Sequence, residues 1–269
     1  MSDPVESSPL RIDFGRVAED YEVTRGFPPT LMKTLTEDIL TTCNLTQTTL
    51  VLDLGCGAGR YLRELATRKV PVIGLDISSR MLDKAYRNQQ SPKFFRSNLL
   101  ASDAVMLPFH QGQFFCTLAI HLFHLLVDWQ EVLAEALRVL QPGGILLLGY
   151  VQGRHFGSVL DQLYRQRREE LGFRYDHPGP HSSEIVVELE SQGFRVETHE
   201  FSAITEVTLQ ETLSALERRV YSSMWENLPD VIHRQLMQYV HTAATSQFKR
   251  LDDIETITCK AELLYAFSE

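Results

Sequence analysis

Val51-Leu-Asp-Leu-Gly-Cys-Gly-Ala-Gly-Arg60 is a short apolar run broken by three glycines spaced G-x-G-x-G, with Asp53 two residues before the first of them. The run predicts a strand buried on both faces, and the glycines predict a tight turn into a helix. Glycine takes positive φ readily and lets a ligand approach the main chain without meeting a Cβ. A nucleotide-like ligand at the mouth of an α/β sheet needs that opening. The spacing differs from the dinucleotide fingerprint G-x-G-x-x-G, and no lysine follows to make a phosphate-binding P-loop.

Outward from this turn the pattern alternates. Upstream, Pro28-Pro29 starts a helix in which Leu31, Met32, Leu35, Ile39 and Leu40 share one side. Downstream come a short amphipathic helix (RYLRELATR), a strand ending on Asp76, and a helix capped by Ser78 or Ser79. A short strand ending near Asp103, a strand turning at His121, a helix closed by QPGG and the strand ILLLGY follow. Such alternation from about 50 to 150 predicts βαβ units, and hence a parallel sheet with helices on both faces.

After Tyr150 the rhythm changes. A helix (SVLDQLYRQRREEL) whose run RQRREE reads as a solvated face, a loop rich in Pro, Gly and His, and a helix closed by Gly193 lead to a strand near 195–206. Helices near 208–222 and 229–247 and a strand near 255–267 close the chain. The last two strands are expected to be antiparallel members of the same sheet, which makes an α/β fold of seven mostly parallel strands with a helical cap. Residues 1–10 are expected to be disordered, 11–150 to form the ligand-binding core, and 151–269 to supply the cap and the closing strands.

With 269 residues, 43% of them hydrophobic and 23% charged, the chain can bury a full core. No apolar run approaches the roughly 20 residues that span a bilayer, so no membrane partner is expected. The start MSDPVESSPL lacks the apolar stretch of a secretory signal, and Cys43, Cys56, Cys116 and Cys259 lack metal-ligand spacing. These features predict a cytoplasmic protein with reduced thiols and no metal. A net charge of -9 argues against nucleic acid as a partner.

In open α/β sheets the ligand sits outside the carboxyl ends of the strands, where strand order reverses. Candidate residues fall at four such ends: Gly55, Gly57 and Gly59, then Asp76, then Asp103, then His121. Asp76 offers two acceptor oxygens to the vicinal hydroxyls of a ribose, and Asp103 one to an adenine amine. Asp53 is placed to meet an ammonium group, directly or through a water. Plainer roles stand beside these: Asp76 as a helix cap, Asp103 as a turn cap, His121 and His124 as packed side chains. Tyr164, Phe173, Tyr175, Tyr221 and Trp225 are candidates to line a substrate cavity under the cap.

Taken in order, VLDLGCGAGR, GLDIS with the following Met81, SDAVMLPF and LRVLQPGG resemble the class I S-adenosylmethionine-dependent methyltransferases, over roughly residues 14–150. The resemblance implies a Rossmann-like fold, S-adenosyl-L-methionine as cofactor, and in-line transfer of its methyl group to a small-molecule acceptor. It also implies roles. Gly55, Gly57 and Gly59 would admit the methionine moiety, with Asp53 nearby, and Asp76 would bind the ribose. Ile77 and Met81 would flank the adenine, Asp103 would accept from its amine, and Ala104 would donate to it from the backbone. Ile120 and His121 would line the pocket beside the sulfonium, and Tyr21 and Arg25 would hold the cofactor carboxylate. His121 or His124 would serve as base for an alcohol, phenol or amine, whereas a carbon or thiolate acceptor needs neither. A monomer or homodimer is expected. No NPPY-like tetrapeptide and no Pro-Cys follows the fourth strand, which sets aside enzymes that methylate adenine, glutamine or cytosine C5. Two other readings stay open at this point. One is a methyltransferase-fold protein that binds the cofactor without transferring a methyl. The other is a nicotinamide-dependent oxidoreductase, against which GCGAGR speaks.

Overall fold

Strand β1 (Val51–Leu54) is buried at every position, as a strand covered on both faces must be. In the structure, a computed structural model that describes residues 14–19, 21, 26–90, 98–175, 177–221, 224–225, 228–248 and 250–268, it lies inside a sheet of seven strands. It pairs in parallel with β2 (Val72–Asp76) on one side and β4 (Phe114–Ile120) on the other. Outside these lie β3 (Asn98–Ala101) and β5 (Leu140–Val151), also parallel. Two long strands, β6 (Arg195–Thr208) and β7 (Ile254–Phe267), complete the sheet in antiparallel sense, in the order β3-β2-β1-β4-β5-β7-β6. Strand order therefore reverses between β1 and β4, and the crevice forms at their carboxyl ends.

Helices cover both faces. On one face, α1 (Pro29–Thr42), α2 (Arg60–Thr67) and α3 (Ser79–Asn88) place Leu35, Ile39, Leu62, Leu65 and Leu82 against Val51, Cys116 and Leu118. On the other, α4 (Trp129–Arg138) and α6 (Ser182–Ser191) pack Val132, Leu133, Ile185 and Leu189 onto Leu52, Leu54 and Leu146. A third core joins α5 (Val159–Glu170), α7 (Leu209–Glu217) and α8 (Asp230–Gln247) through Leu160, Tyr164, Leu213, Leu236 and Val240. Each such buried aliphatic side chain contributes about 1.5–3 kcal/mol relative to exposure.

Three boundaries differ from the expectation. β3 stops at Ala101 because Asp103 Oδ1 accepts a hydrogen bond from Val105 N–H (3.1 Å) and turns the chain first. QPGG does not separate α4 from the next strand but lies inside β5, where Leu140 pairs with Phe114 ahead of an irregularity in the ladder. α7 ends at Glu217 rather than near 222, because Arg219 takes φ 48° and Val220 N–H donates back to Ala215 O (3.2 Å). Residues 1–10, read as disordered, lie outside the described residues. Among the described residues no helix is long and apolar enough to cross a membrane.

Candidate functional site

The glycine turn is built as a cradle. Gly55, Gly57 and Gly59 have φ of 72°, 54° and 79°, a region that L side chains enter only with strain. A Cβ on Gly55 would stand 3.0 Å from Leu122 Cδ1, and one on Gly57 3.1 Å from Met81 Cε. The turn hangs from β2, since the Gly55 and Cys56 N–H groups both donate to Leu75 O (2.8 and 2.9 Å). Asp76 closes it: Oδ2 accepts from Gly57 N–H and Oδ1 from Ser78 N–H, each at 2.8 Å. Each oxygen keeps a second lone pair, so Asp76 can hold the turn and still accept from two hydroxyls. Burial raises the Asp76 pKa, and the Ser78 and Gly57 N–H groups work against that rise. The α3 cap is Ser78, which accepts from Met81 N–H (3.4 Å).

Beside the turn lies a cavity of about 450 Å³. Its wall brings together Tyr21, Gly55, Gly57, Asp76, Ile77, Met81, Asp103, Ala104 and His121. Tyr21 reaches it from the N-terminal segment, where it packs with Phe14 against Ala58 and Met81. Phe14, Leu122 and Leu125 also line it, and no motif in the sequence marked them. Other expected residues stand elsewhere. Gly59 is the N-cap of α2, and a Cβ there would meet Ala85 of α3 at 3.1 Å. Ile120 is buried in the core behind His121. Arg25 lies outside the described residues.

Asp53 is not on the cavity wall either. It is buried in β1, and its Oδ2 has no hydrogen-bond partner among the described residues. Burial, and secondarily the nearby Asp76 carboxylate, push its pKa up to about 7. Asp53 stands two residues before the turn begins, inside β1.

His121 follows β4 with φ 63°, a left-handed conformation that costs a side-chain-bearing residue energy. Two hydrogen bonds hold it there. Its N–H donates to Gly149 O (2.8 Å), and its Nε2 accepts from Val151 N–H (3.2 Å). An accepting Nε2 leaves the ring proton on Nδ1, so this imidazole is arranged to donate and not to take a proton. In this arrangement the Nε2 lone pair is engaged by the Val151 N–H. His124 sits on the short 3₁₀ turn Phe123–Leu125, its ring centroid 6.0 Å from that of His121 and 5.0 Å from that of His177.

A second cavity, of about 300 Å³, shares Tyr21 and His121 with the first and continues under the cap. His124, Tyr164, Phe173, Tyr175 and Tyr221 line it, whereas the Trp225 indole N–H donates to Arg219 O (2.5 Å) away from this wall. Arg60, which follows the glycines, stands with its guanidinium 4.1 Å above the Phe27 ring and 5.7 Å from Tyr21. The run RQRREE is the expected solvated face only in part: Gln166, Glu169 and Glu170 are exposed. Arg165 and Arg168 line the cavity, Arg168 is only 4% exposed, and Arg165 pairs with Asp161 at 2.9 Å. The missed signal is spacing: Asp161, Tyr164, Arg165 and Arg168 recur at i, i+3, i+4 and i+7, which is one helix face.

Residues 52–148 match the family model described as a methyltransferase domain. Over that stretch the chain is similar to methyltransferases. The chain is 35% identical over 101 residues to the 27-O-demethylrifamycin SV methyltransferase of Amycolatopsis mediterranei, a match covering 37% of each chain. It is 30% identical over 137 residues to a demethylmenaquinone methyltransferase of Oceanobacillus iheyensis, covering 46% of this chain and 57% of that one. The chain thus spans well under two thirds of either relative. The crystal structure of the YcgJ protein from Bacillus subtilis has the same fold, with a TM-score of 0.60 over 88% of this chain and 99% of that one at 16% identity. The family match ends at residue 148, so α5 and the rest of the cap stand outside it.

Proposed function

We propose that this protein is a methyltransferase that moves a methyl group from S-adenosylmethionine to a small-molecule acceptor. The observation that carries this reading is the junction of the two cavities at Tyr21 and His121. The first cavity would take the cofactor and the second the acceptor, and the junction would be where they meet. The cofactor supplies a methyl group already activated on a sulfonium sulfur. The protein's task is then to bind, align and exclude water, and alignment of this kind is worth about 7–11 kcal/mol.

This reading gives each residue a role. Gly55 and Gly57 would let the main chain approach the methionine end, with Tyr21 beside it and Arg25 from the adjoining segment. Asp76 would accept from the ribose hydroxyls on its remaining lone pairs. Ile77 and Met81 would cover the adenine, and Asp103 and the Ala104 N–H would meet its edge. Gly59 and Ile120 would support this wall from behind, and the buried Asp53 would lend negative potential to a cavity suited to a cation. The Nδ1–H of His121 would orient the acceptor. His124, on the acceptor side, would take a proton from an alcohol, phenol or amine. The cap segment within 151–269 would decide which acceptor enters. Both relatives are named for methylating small molecules, demethylrifamycin and demethylmenaquinone, which favours a small acceptor here.

The test is turnover. The chain is incubated with methyl-labelled S-adenosylmethionine and a panel of small acids, phenols, amines and thiols. Label recovered in one acceptor class supports the proposal. Tight cofactor binding with no transfer to any class favours the non-catalytic alternative.

A further inference from the structure

The Leu107-Pro-Phe109 end of SDAVMLPF and Arg138 of LRVLQPGG have no role in the function proposed above, yet they meet in the fold. Arg138, the last residue of α4, donates from Nη1 to Phe109 O (2.9 Å) and from Nη2 to Leu107 O (3.0 Å). The same guanidinium grips Glu135, through Nε to Oε1 (2.6 Å) and through Nη2 to Oε2 (2.8 Å). Glu135 Oε2 in turn accepts from Leu107 N–H (2.7 Å). One ion pair therefore holds Leu107 by both its N–H and its C=O. A planar guanidinium with five N–H donors can serve two carbonyls and a carboxylate at once, which an ammonium on a flexible stem cannot do in one fixed geometry. The far end of the same loop is tied to the same helix end, since Gly112 N–H donates to Arg138 O (3.0 Å) and Gln113 N–H to Val139 O (2.8 Å).

What this clamp steadies is a wall of the first cavity. Asp103, Ala104 and Val105 line that cavity, and Leu107 follows them directly in the chain. Asp103 Oδ1 is occupied by Val105 N–H (3.1 Å). Asp103 Oδ2 and the Ala104 N–H have no partner among the described residues. An acceptor and a donor on adjacent residues match the edge of adenine, whose amine donates and whose N1 accepts. Hypoxanthine, with an oxygen at C6 and a hydrogen on N1, reverses both. Discrimination then depends on where the turn is held. Met106, between the turn and the clamp, is 73% exposed, so its side chain adds little anchoring. We propose that Glu135 and Arg138 are positioning residues for cofactor selection: by fixing Leu107 to α4 they hold the Asp103–Ala104 turn where it accepts a 6-aminopurine and rejects a 6-oxopurine. Neither residue lies on the cavity wall, so both act through the turn. This rests on the first cavity being the cofactor site.

The test titrates the full chain by calorimetry with S-adenosylhomocysteine and S-inosylhomocysteine, which differ only at purine C6 and N1. Wild type should bind the adenosyl compound about tenfold tighter, or more. Arg138→Met should bring the two affinities within about threefold of each other, by weakening the adenosyl compound and leaving the inosyl compound as it was. Arg138→Lys, which keeps the charge but reaches fewer of the carbonyls, should fall between. A role in stability alone would lower the unfolding temperature and leave the ratio unchanged. Should Arg138→Met not fold, the ligand-free wild type still decides through amide exchange read by NMR. The Leu107 amide, held by Glu135, should exchange about tenfold more slowly, or slower still, than the unpartnered Ala104 amide. A preference that survives Arg138→Met in full, or a Leu107 amide that exchanges as fast as that of Ala104, overturns the inference alone. Equal wild-type affinity for the two compounds overturns it together with the placing of adenine at this turn. No binding of either compound removes the cofactor reading, and the inference with it.

Discussion

Replacing Asp53 by asparagine should change how the stability of this protein depends on pH. The carboxyl group is buried in β1, and its pKa is raised from 3.8 to about 7, first by burial and then by Asp76. A carboxyl whose pKa is raised on folding adds stability that is complete below about pH 4 and is lost as pH rises through about 7. Each pH unit in that window is worth about 1.4 kcal/mol, so ionised Asp53 costs the folded state about 4 kcal/mol above neutrality. Between about pH 5 and about pH 7 the wild type should therefore lose about 2–3 kcal/mol relative to Asp53→Asn. The variant places an amide where Oδ2 has no hydrogen-bond partner among the described residues, a penalty of about 1–3 kcal/mol. That penalty does not vary with pH, so it shifts the difference curve without altering its slope. Asp76 is close enough to raise the Asp53 pKa, so the observed midpoint belongs to the pair. The assay is urea unfolding of both proteins at matched pH values from about 5 to about 8. A difference in stability that stays constant across this range would refute the reasoning, because it would mean that Asp53 does not titrate there.

Other changes should be equally legible. His155 is buried against Thr212 (3.4 Å), with its pKa lowered to about 4, chiefly by burial. Its contribution should be complete above about pH 6.5 and fall by about 3 kcal/mol toward pH 4, and His155→Gln should flatten that acid limb in the same unfolding series. Gly74→Ala puts a Cβ 2.7 Å from Leu62 Cδ1 and 2.9 Å from Cys56 Sγ, between β2 and the glycine turn. Calorimetric unfolding should show a loss of about 1–3 kcal/mol. Gly59→Ala forces a side chain into φ 79° next to Ala85 and should cost about 1–2 kcal/mol by the same measurement.

Much of this was legible in the sequence because short-range chemistry wrote it there. The strand-to-helix turn at Gly55–Gly59, the cap at Ser78 and the period-2 pattern of β6 each depend on neighbours within a few residues. The topology then brought Asp76, Asp103 and His121 to one rim, because parallel strands share a carboxyl end. What the sequence hid is what depends on pairing across the chain. The hydrogen bond from Val151 N–H to His121 Nε2 joins residues 30 positions apart, and it engages one nitrogen of the expected base. Arg165 and Arg168 looked solvated because charge in a run masks helical spacing, and only the packing of α5 against α8 shows which side of the helix is closed off. Asp53 is buried in β1, which its place just before the glycines did not reveal.

The central claim is that the pit at the β1–β4 switch point holds an adenosyl thioether or sulfonium through Asp76. Calorimetric titration of S-adenosylhomocysteine and, separately, NADH into wild type and Asp76→Ala tests it most directly. The account predicts one S-adenosylhomocysteine per chain, affinity reduced about tenfold or more by Asp76→Ala, and no competition from NADH. Binding of NADH in its place, or S-adenosylhomocysteine binding that is indifferent to Asp76→Ala, would contradict it.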